Sequence, residues 1–107
     1  MNELEKNQSY SNETFEAIKH FDENGSEYWF ARELKDVLSY KEWRKFEGVI
    51  DKAIKSCQNS GISAFEHFVG ADKTIKMPNE ATKSIKDYNL TRYACYLIAQ
   101  NGDSRKK

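Results

Sequence analysis

Apolar residues return every three or four positions through the middle of the chain: Trp43, Phe46, Val49, Ile50, Ala53, Ile54 and Cys57. That spacing predicts an amphipathic helix with Arg44, Lys45, Glu47, Gly48, Asp51, Lys52 and Lys55 turned outward, and Gly61 is placed to end it. Just upstream, Ala31, Leu34, Val37 and Leu38 form a second helical stripe, separated from the long one by a short turn at Ser39-Tyr40-Lys41. A third stripe, Leu90, Ala94, Leu97 and Ile98 with Tyr93 beside it, closes at Asn101-Gly102. Trp43 lies on the long stripe and is read as core.

Two further segments change the period. Asn24-Gly25 stands between two aromatic-rich runs, and both residues tolerate positive φ, so a hairpin is predicted with strands near 15–21 and 27–31. Trp29 and Phe30 alternate on the second strand, so only one of them can face inward. Lys73-Thr-Ile-Lys-Met77, a turn at Pro78-Asn79 and a run from Lys83 to Tyr88 predict a second hairpin. Ser63-Ala-Phe-Glu66 has capping-box spacing and predicts one helical turn near 63–68. The expected fold class is therefore α+β: a small single domain with two β-hairpins and three main α-helices, two of them a helix-turn-helix-like pair. Residues 1–12 read as a mobile leader and 13–107 as the domain, with a frayed tail from Asp103.

The chain has 107 residues, enough for one domain. Leu, Ile, Val and Phe together make 21 of these, near the roughly 20% line below which chains tend toward disorder. Disorder of that kind also needs a large net charge, and here 17 basic residues cancel 17 acidic ones. The 13% aromatic content adds buried surface to a modest aliphatic count. Neutrality conceals an asymmetry. Residues 1–36 carry nine acids against four bases, and 37–107 carry thirteen bases against eight acids. A basic face on the second part is thus permitted, but a strongly cationic coat is not. No uncharged stretch approaches the ~20 residues of a membrane span, and no signal peptide is visible. Cys57 and Cys95 sit in apolar helical patterns without framework spacing, which reads as buried, reduced thiols in a cytoplasmic protein.

Catalytic signatures are missing. Gly25, Gly48, Gly61, Gly70 and Gly102 never fall into a phosphate-cradling spacing. His20 and His67 are far from each other and from both cysteines in sequence, so no local metal-ligand pair exists. Asp22 followed by Glu33-Leu34-Lys35 superficially matches a carboxylate plus E-x-K nuclease. That chemistry needs the three groups held rigidly together around Mg²⁺, whereas a turn and the two sides of a short helix hold them apart. No catalytic residue, metal or cofactor is assigned, and the chain is read as a non-enzyme.

A short helix, a tight turn and a longer helix make the spacing of a helix-turn-helix, whose second helix offers its exposed N-terminal face to the DNA major groove. Lys41, Arg44, Lys45, Lys52 and Lys55 are the candidate DNA-binding residues, offset by Glu42, Glu47 and Asp51. An ordinary helical hairpin with a solvated, salt-bridged face would look the same.

The string Tyr28-Trp-Phe-Ala-Arg-Glu-Leu-Lys-Asp-Val-Leu-Ser-Tyr40 resembles the core motif of the Bro-N domain. Phe15-Glu-Ala-Ile-Lys-His20, Glu47-Gly-Val-Ile-Asp-Lys-Ala53, Asn59-Ser-Gly61, His67-Phe68 and the long run from Asp87 to Asn101 are similar to its DNA-damage-inducible protein D branch. The resemblance covers about residues 14–106. It implies the N-terminal, DNA-binding part of a longer bacterial DNA-damage (SOS) protein, cytoplasmic or nucleoid-associated, with no known enzymatic activity. The other class of function is a protein-interaction module that engages a repair or recombination protein with little DNA contact. One position departs from the family pattern: Leu38-Ser39-Tyr40 stands where Leu-Gly-Tyr is usual. Ser39 is then either a strained left-handed residue, at ~1 kcal/mol, or the N-cap of the second helix through Ser39-x-x-Glu42.

Overall fold

The structure, a computed structural model, describes residues 14–102, so the expected leader and tail lie outside the described residues. The first hairpin forms at Asn24-Gly25. Strand β1 (His20–Phe21) pairs antiparallel with β2 (Glu27–Phe30). Asp22 Oδ1 closes the turn by accepting from the backbone N–H groups of Asn24 and Ser26, both at 2.9 Å. The first strand is shorter than expected, because residues 14–17 form a helical turn. Phe15 and Ile18 both pack on the core. Three positions apart, they share one side of a helical turn but would point to opposite faces of a strand. The Phe15 ring stacks on Trp29 at 4.5 Å, and its carbonyl accepts from Trp29 Nε1 at 2.9 Å.

Helix α1 (Ala31–Val37) follows β2 directly. Its N-cap, Phe30, has no side chain that can accept a hydrogen bond. Asp87, 1% exposed, supplies the cap from the far end of the chain: Oδ1 accepts from Arg32 N at 3.0 Å and from Tyr88 N at 2.8 Å. At its other end α1 closes in a Schellman motif. Ser39 N–H donates to Asp36 O at 3.1 Å and Tyr40 N–H to Lys35 O at 3.0 Å, with Ser39 at φ 67°. Of the two readings of Ser39, the left-handed one is correct. The capping reading fails because α2 (Trp43–Asn59) starts later than a capping Ser39 would require, and its N-cap is Glu42. Helix α2 ends in the same motif, now with glycine: Gly61, φ 76°, donates to Gln58 O at 3.0 Å, and Ile62 N–H to Cys57 O at 3.2 Å.

The expected turn near 63–68 is a 3₁₀ turn over Ala64–Glu66, but the Ser63 side chain makes no capping bond. The second hairpin is longer than its alternation suggests. Strand β3 (Phe68–Lys76) pairs along its whole length with β4 (Thr82–Leu90), from Phe68 opposite Leu90 to Lys76 opposite Thr82. Leu90 is therefore the last strand residue rather than the start of a helix. Helix α3 (Arg92–Asn101) begins behind Thr91, whose hydroxyl accepts from Ala94 N at 3.1 Å.

The sheet order is β1-β2-β4-β3, antiparallel throughout. The class is α+β, as the patterning implies. Strand β4 meets β2 only at Leu90–Trp29 and Asn89–Phe30. Over that junction the three helices bury Trp29, Leu34, Phe46, Ile50, Leu90 and Ile98 completely, each removal from water contributing roughly 1.5–3 kcal/mol. Trp29 faces in while Phe30 stays partly exposed, as alternation requires. Cys57 and Cys95 are buried free thiols. Trp43 is a correction: it is only partly buried, covered by the Arg32 guanidinium at 4.1 Å from the ring centroid. No helix among the described residues is long and apolar enough to cross a membrane.

Candidate nucleic-acid interface

Helix α2 has 17 residues, a rod of roughly 25 Å at 1.5 Å per residue. Its inner side carries Phe46, Val49, Ile50, Ala53 and Cys57, all buried. At 3.6 residues per turn the opposite side falls on Arg44, Gly48, Lys52 and Lys55, with Lys45 and Asp51 flanking, all exposed. The structure thus gathers four of the five predicted residues on one face. Lys41 is exposed too, but it lies in the linker before Glu42 rather than on the helix. The helix starts at Trp43, after the Schellman closure at Ser39-Tyr40 has finished and sent Tyr40 into the core against Phe46 at 5.1 Å.

This face is electrostatically unsatisfied. Among the described residues Lys41, Arg44, Lys45, Lys52 and Lys55 make no ion pair, whereas Lys19, Lys35, Lys86 and Arg92 do. Of the two acids beside the face, Glu47 is taken by Lys86 at 2.8 Å, and Asp51, on its rim, is in no ion pair among the described residues. The Glu47 carboxylate, and then Tyr88, hold the Lys86 ammonium above its ordinary pKa. At the N-terminus the Glu42 side chain makes no capping bond and the first turn holds no acid. Arg44 and Lys45 stand in that turn beside the positive end of the helix dipole, an arrangement that costs stability in the free protein and favours an anion there. Gly48 occupies the centre of the face. A methyl group added at Gly48 would meet nothing within 4 Å, so packing does not call for a glycine that weakens the helix by roughly 1 kcal/mol.

The groups weighed for catalysis are used structurally. Asp22 holds its turn, Glu33 bonds His20 Nε2 at 2.7 Å, and His67 Nδ1 meets Thr91 Oγ1 at 2.7 Å. Among the described residues no group of three or more His, Cys, Asp or Glu side chains gathers as a metal would need. Two arginines carry roles that local pattern did not reveal. Arg32 donates from Nε to Lys86 O at 2.7 Å while lying over Trp43, tying α1 and the β3–β4 hairpin to α2. Arg92 bonds Glu16 at 2.6 Å and Glu27 at 2.9 Å and lies 5.0 Å from the Trp29 ring centroid. Its guanidinium, assisted by Lys19, lowers the Glu16 carboxyl to about 2 and also lowers Glu27. The partners are 76 and 65 positions away, and no short-range spacing marks such pairs.

The model of the BRO family, N-terminal domain, matches residues 17–107. The chain is 44% identical over 92 residues to DNA damage-inducible protein D of Escherichia coli (strain K12), covering 86% of this chain and 34% of that protein. It thus spans about a third of the length of this relative. No solved structure matches it. A family match over residues 17–107 and 44% identity to that relative over 86% of the chain show that the chain belongs to the BRO family through its N-terminal domain.

Proposed function

We propose that this domain binds DNA through the outward face of α2, as a non-enzymatic regulatory part of a bacterial DNA-damage (SOS) response protein acting at the nucleoid. One observation carries the reading: Arg44, Lys45, Lys52 and Lys55 line one exposed helix face without ion-pair partners among the described residues. Backbone phosphates are the chemistry that such a face fits, since each neutralised phosphate releases counterions. In this reading α1 braces α2 in the manner of a helix-turn-helix, and Lys41 joins the contact from the linker. The bare side of Gly48 lets a sugar-phosphate backbone come close to the helix.

The test is fluorescence anisotropy with single- and double-stranded oligonucleotides over a salt series. Arg44→Glu with Lys45→Glu should abolish binding at low salt and leave folding stability within ~0.5 kcal/mol. The same double reversal at Lys106 and Lys107 should cost little. Equal loss from the tail variant would reduce the binding to diffuse electrostatics and defeat the reading. A second reading has one observation in its favour. Phe65 is 89% exposed beside an open groove lined by Ile54, Gln58, Ile62 and Phe68, a surface suited to a repair or recombination protein. If both kinds of DNA are ignored even at low salt, that reading replaces the first.

A further inference from the structure

Beyond Asn89 and Leu90, β3 and β4 pair only with each other. Nine residues per strand make an arm of roughly 30 Å, and from Asp72 to Ser84 its side chains are exposed on both faces except Ile75. An isolated two-stranded ribbon has little stability of its own. Ile75 and Ile85, partly buried, lie diagonally on one face and brace it. Its base is anchored to α2 by the Lys86–Glu47 ion pair and by Arg32, so arm and helix keep a fixed relation.

Charge falls on this arm in an uneven way. Among the described residues, the lysines without a carboxylate partner are those of α2 and its entry, together with Lys73, Lys76 and Lys83 here. Over the two strands and their turn four lysines stand against Asp72, Glu80 and Asp87, so the arm is net positive by one charge. The register puts Lys73 and Lys83 on one face, Lys76 and Lys86 on the other. At the tip Met77 is 38% exposed and Pro78 is exposed beside it. Asn79 at φ 69° and Glu80 at φ 63° make the reversal, and Met77 N–H donates to Ala81 O at 2.8 Å. A glutamate in the left-handed region is uncommon, and such strained positions concentrate where a loop is used.

We propose that the β3–β4 arm is a second DNA-contacting element, lying along the minor groove of a duplex with Lys73, Lys76 and Lys83 on the phosphates and Met77-Pro78 as an apolar wedge at its tip. Lysines on both faces can reach both walls of a groove, which a ribbon lying flat on a surface would not need. Met and Pro are among the side chains that minor-groove proteins press against or between base steps. The proposal shares with the α2 reading only the premise that the partner is duplex DNA.

The experiment compares the chain with Lys73→Glu/Lys76→Glu/Lys83→Glu, with Met77→Ala and with Arg44→Glu/Lys45→Glu on a duplex of about two turns, by anisotropy across salt. Circular dichroism and melting serve to confirm that each variant is folded. The triple variant should weaken binding and flatten the slope of log K against log salt by ~3, at close to one unit per lost phosphate contact. Met77→Ala should weaken binding several-fold at an unchanged slope. A minor-groove drug such as netropsin should compete with the parent chain and not with the triple variant. If the triple variant keeps its affinity and slope while Arg44→Glu/Lys45→Glu loses binding, the arm proposal falls and the α2 reading stands. The reverse result leaves the arm and removes the helix. Netropsin insensitivity of the parent chain, or equal binding of a single strand, overturns the groove assignment.

Discussion

Helices α1 and α2 end in the same Schellman motif, with Ser39 in one and Gly61 in the other, at φ 67° and φ 76°. The pair makes an internal control for the cost of a side chain in the left-handed region. A Cβ there costs roughly 1–2 kcal/mol, while glycine adds unfolded-state freedom worth about 0.4–1 kcal/mol. Ser39→Gly should therefore stabilise by about 0.5–1 kcal/mol, and Gly61→Ser should destabilise by a similar amount. For a domain of this size 1 kcal/mol corresponds to roughly 4–8 °C in melting temperature. Ser39→Ala keeps the Cβ and should bring no gain. Urea denaturation of the three variants, with calorimetry as a second probe, reads all of these differences. The reasoning would be refuted by a Ser39→Gly variant no more stable than the parent. Loss of about 1 kcal/mol in Ser39→Ala with glycine near neutral would instead be the signature of a capping hydroxyl. Because Tyr40 is buried on Phe46 just after the turn, the start of α2 should not move, and DNA affinity should be unchanged in Ser39→Gly.

The remaining predictions concern protons and thiols. Glu16 titrates near about 2 in the folded chain against an ordinary 4.5, and Glu27 is lowered as well, both chiefly through Arg92. Their contribution is present above the ordinary carboxylate range and is lost as pH falls from there toward 2, so urea midpoints should decline over that window. Glu16→Gln with Glu27→Gln should flatten the decline, and an unaltered slope would contradict the assignment. Burial pushes the Cys95 thiol up to about 12, and Cys57 is fully buried. Neither should react with a thiol reagent in the native protein and both should in denaturant. Rapid native labelling would show that a helix face is misplaced.

What pattern reading reached by itself was local. The α2 stripe, the exposed row of Arg44, Lys45, Lys52 and Lys55, and the Asn24-Gly25 turn all follow from spacings within one element, where 3.6-residue and two-residue periods place side chains directly. The motif strings pointed to the BRO family for the same reason, since they are contiguous. The tertiary structure decided matters that depend on distant partners. Leu90 has the spacing of a helix residue, yet pairing with Trp29 and Phe68 makes it the end of a strand. The turn over 14–17 is helical because Phe15 must lie flat on Trp29, and Lys41 falls short of α2 because Tyr40 is drawn into the core. The full length of the β3–β4 arm, its tie to α2 through Arg32 and Lys86, and the Asp87 cap of α1 join segments 39 to 55 positions apart, or exposed strands with imperfect alternation. A local period cannot carry such information, because the free energy of these contacts is gained only once the core has brought their partners together.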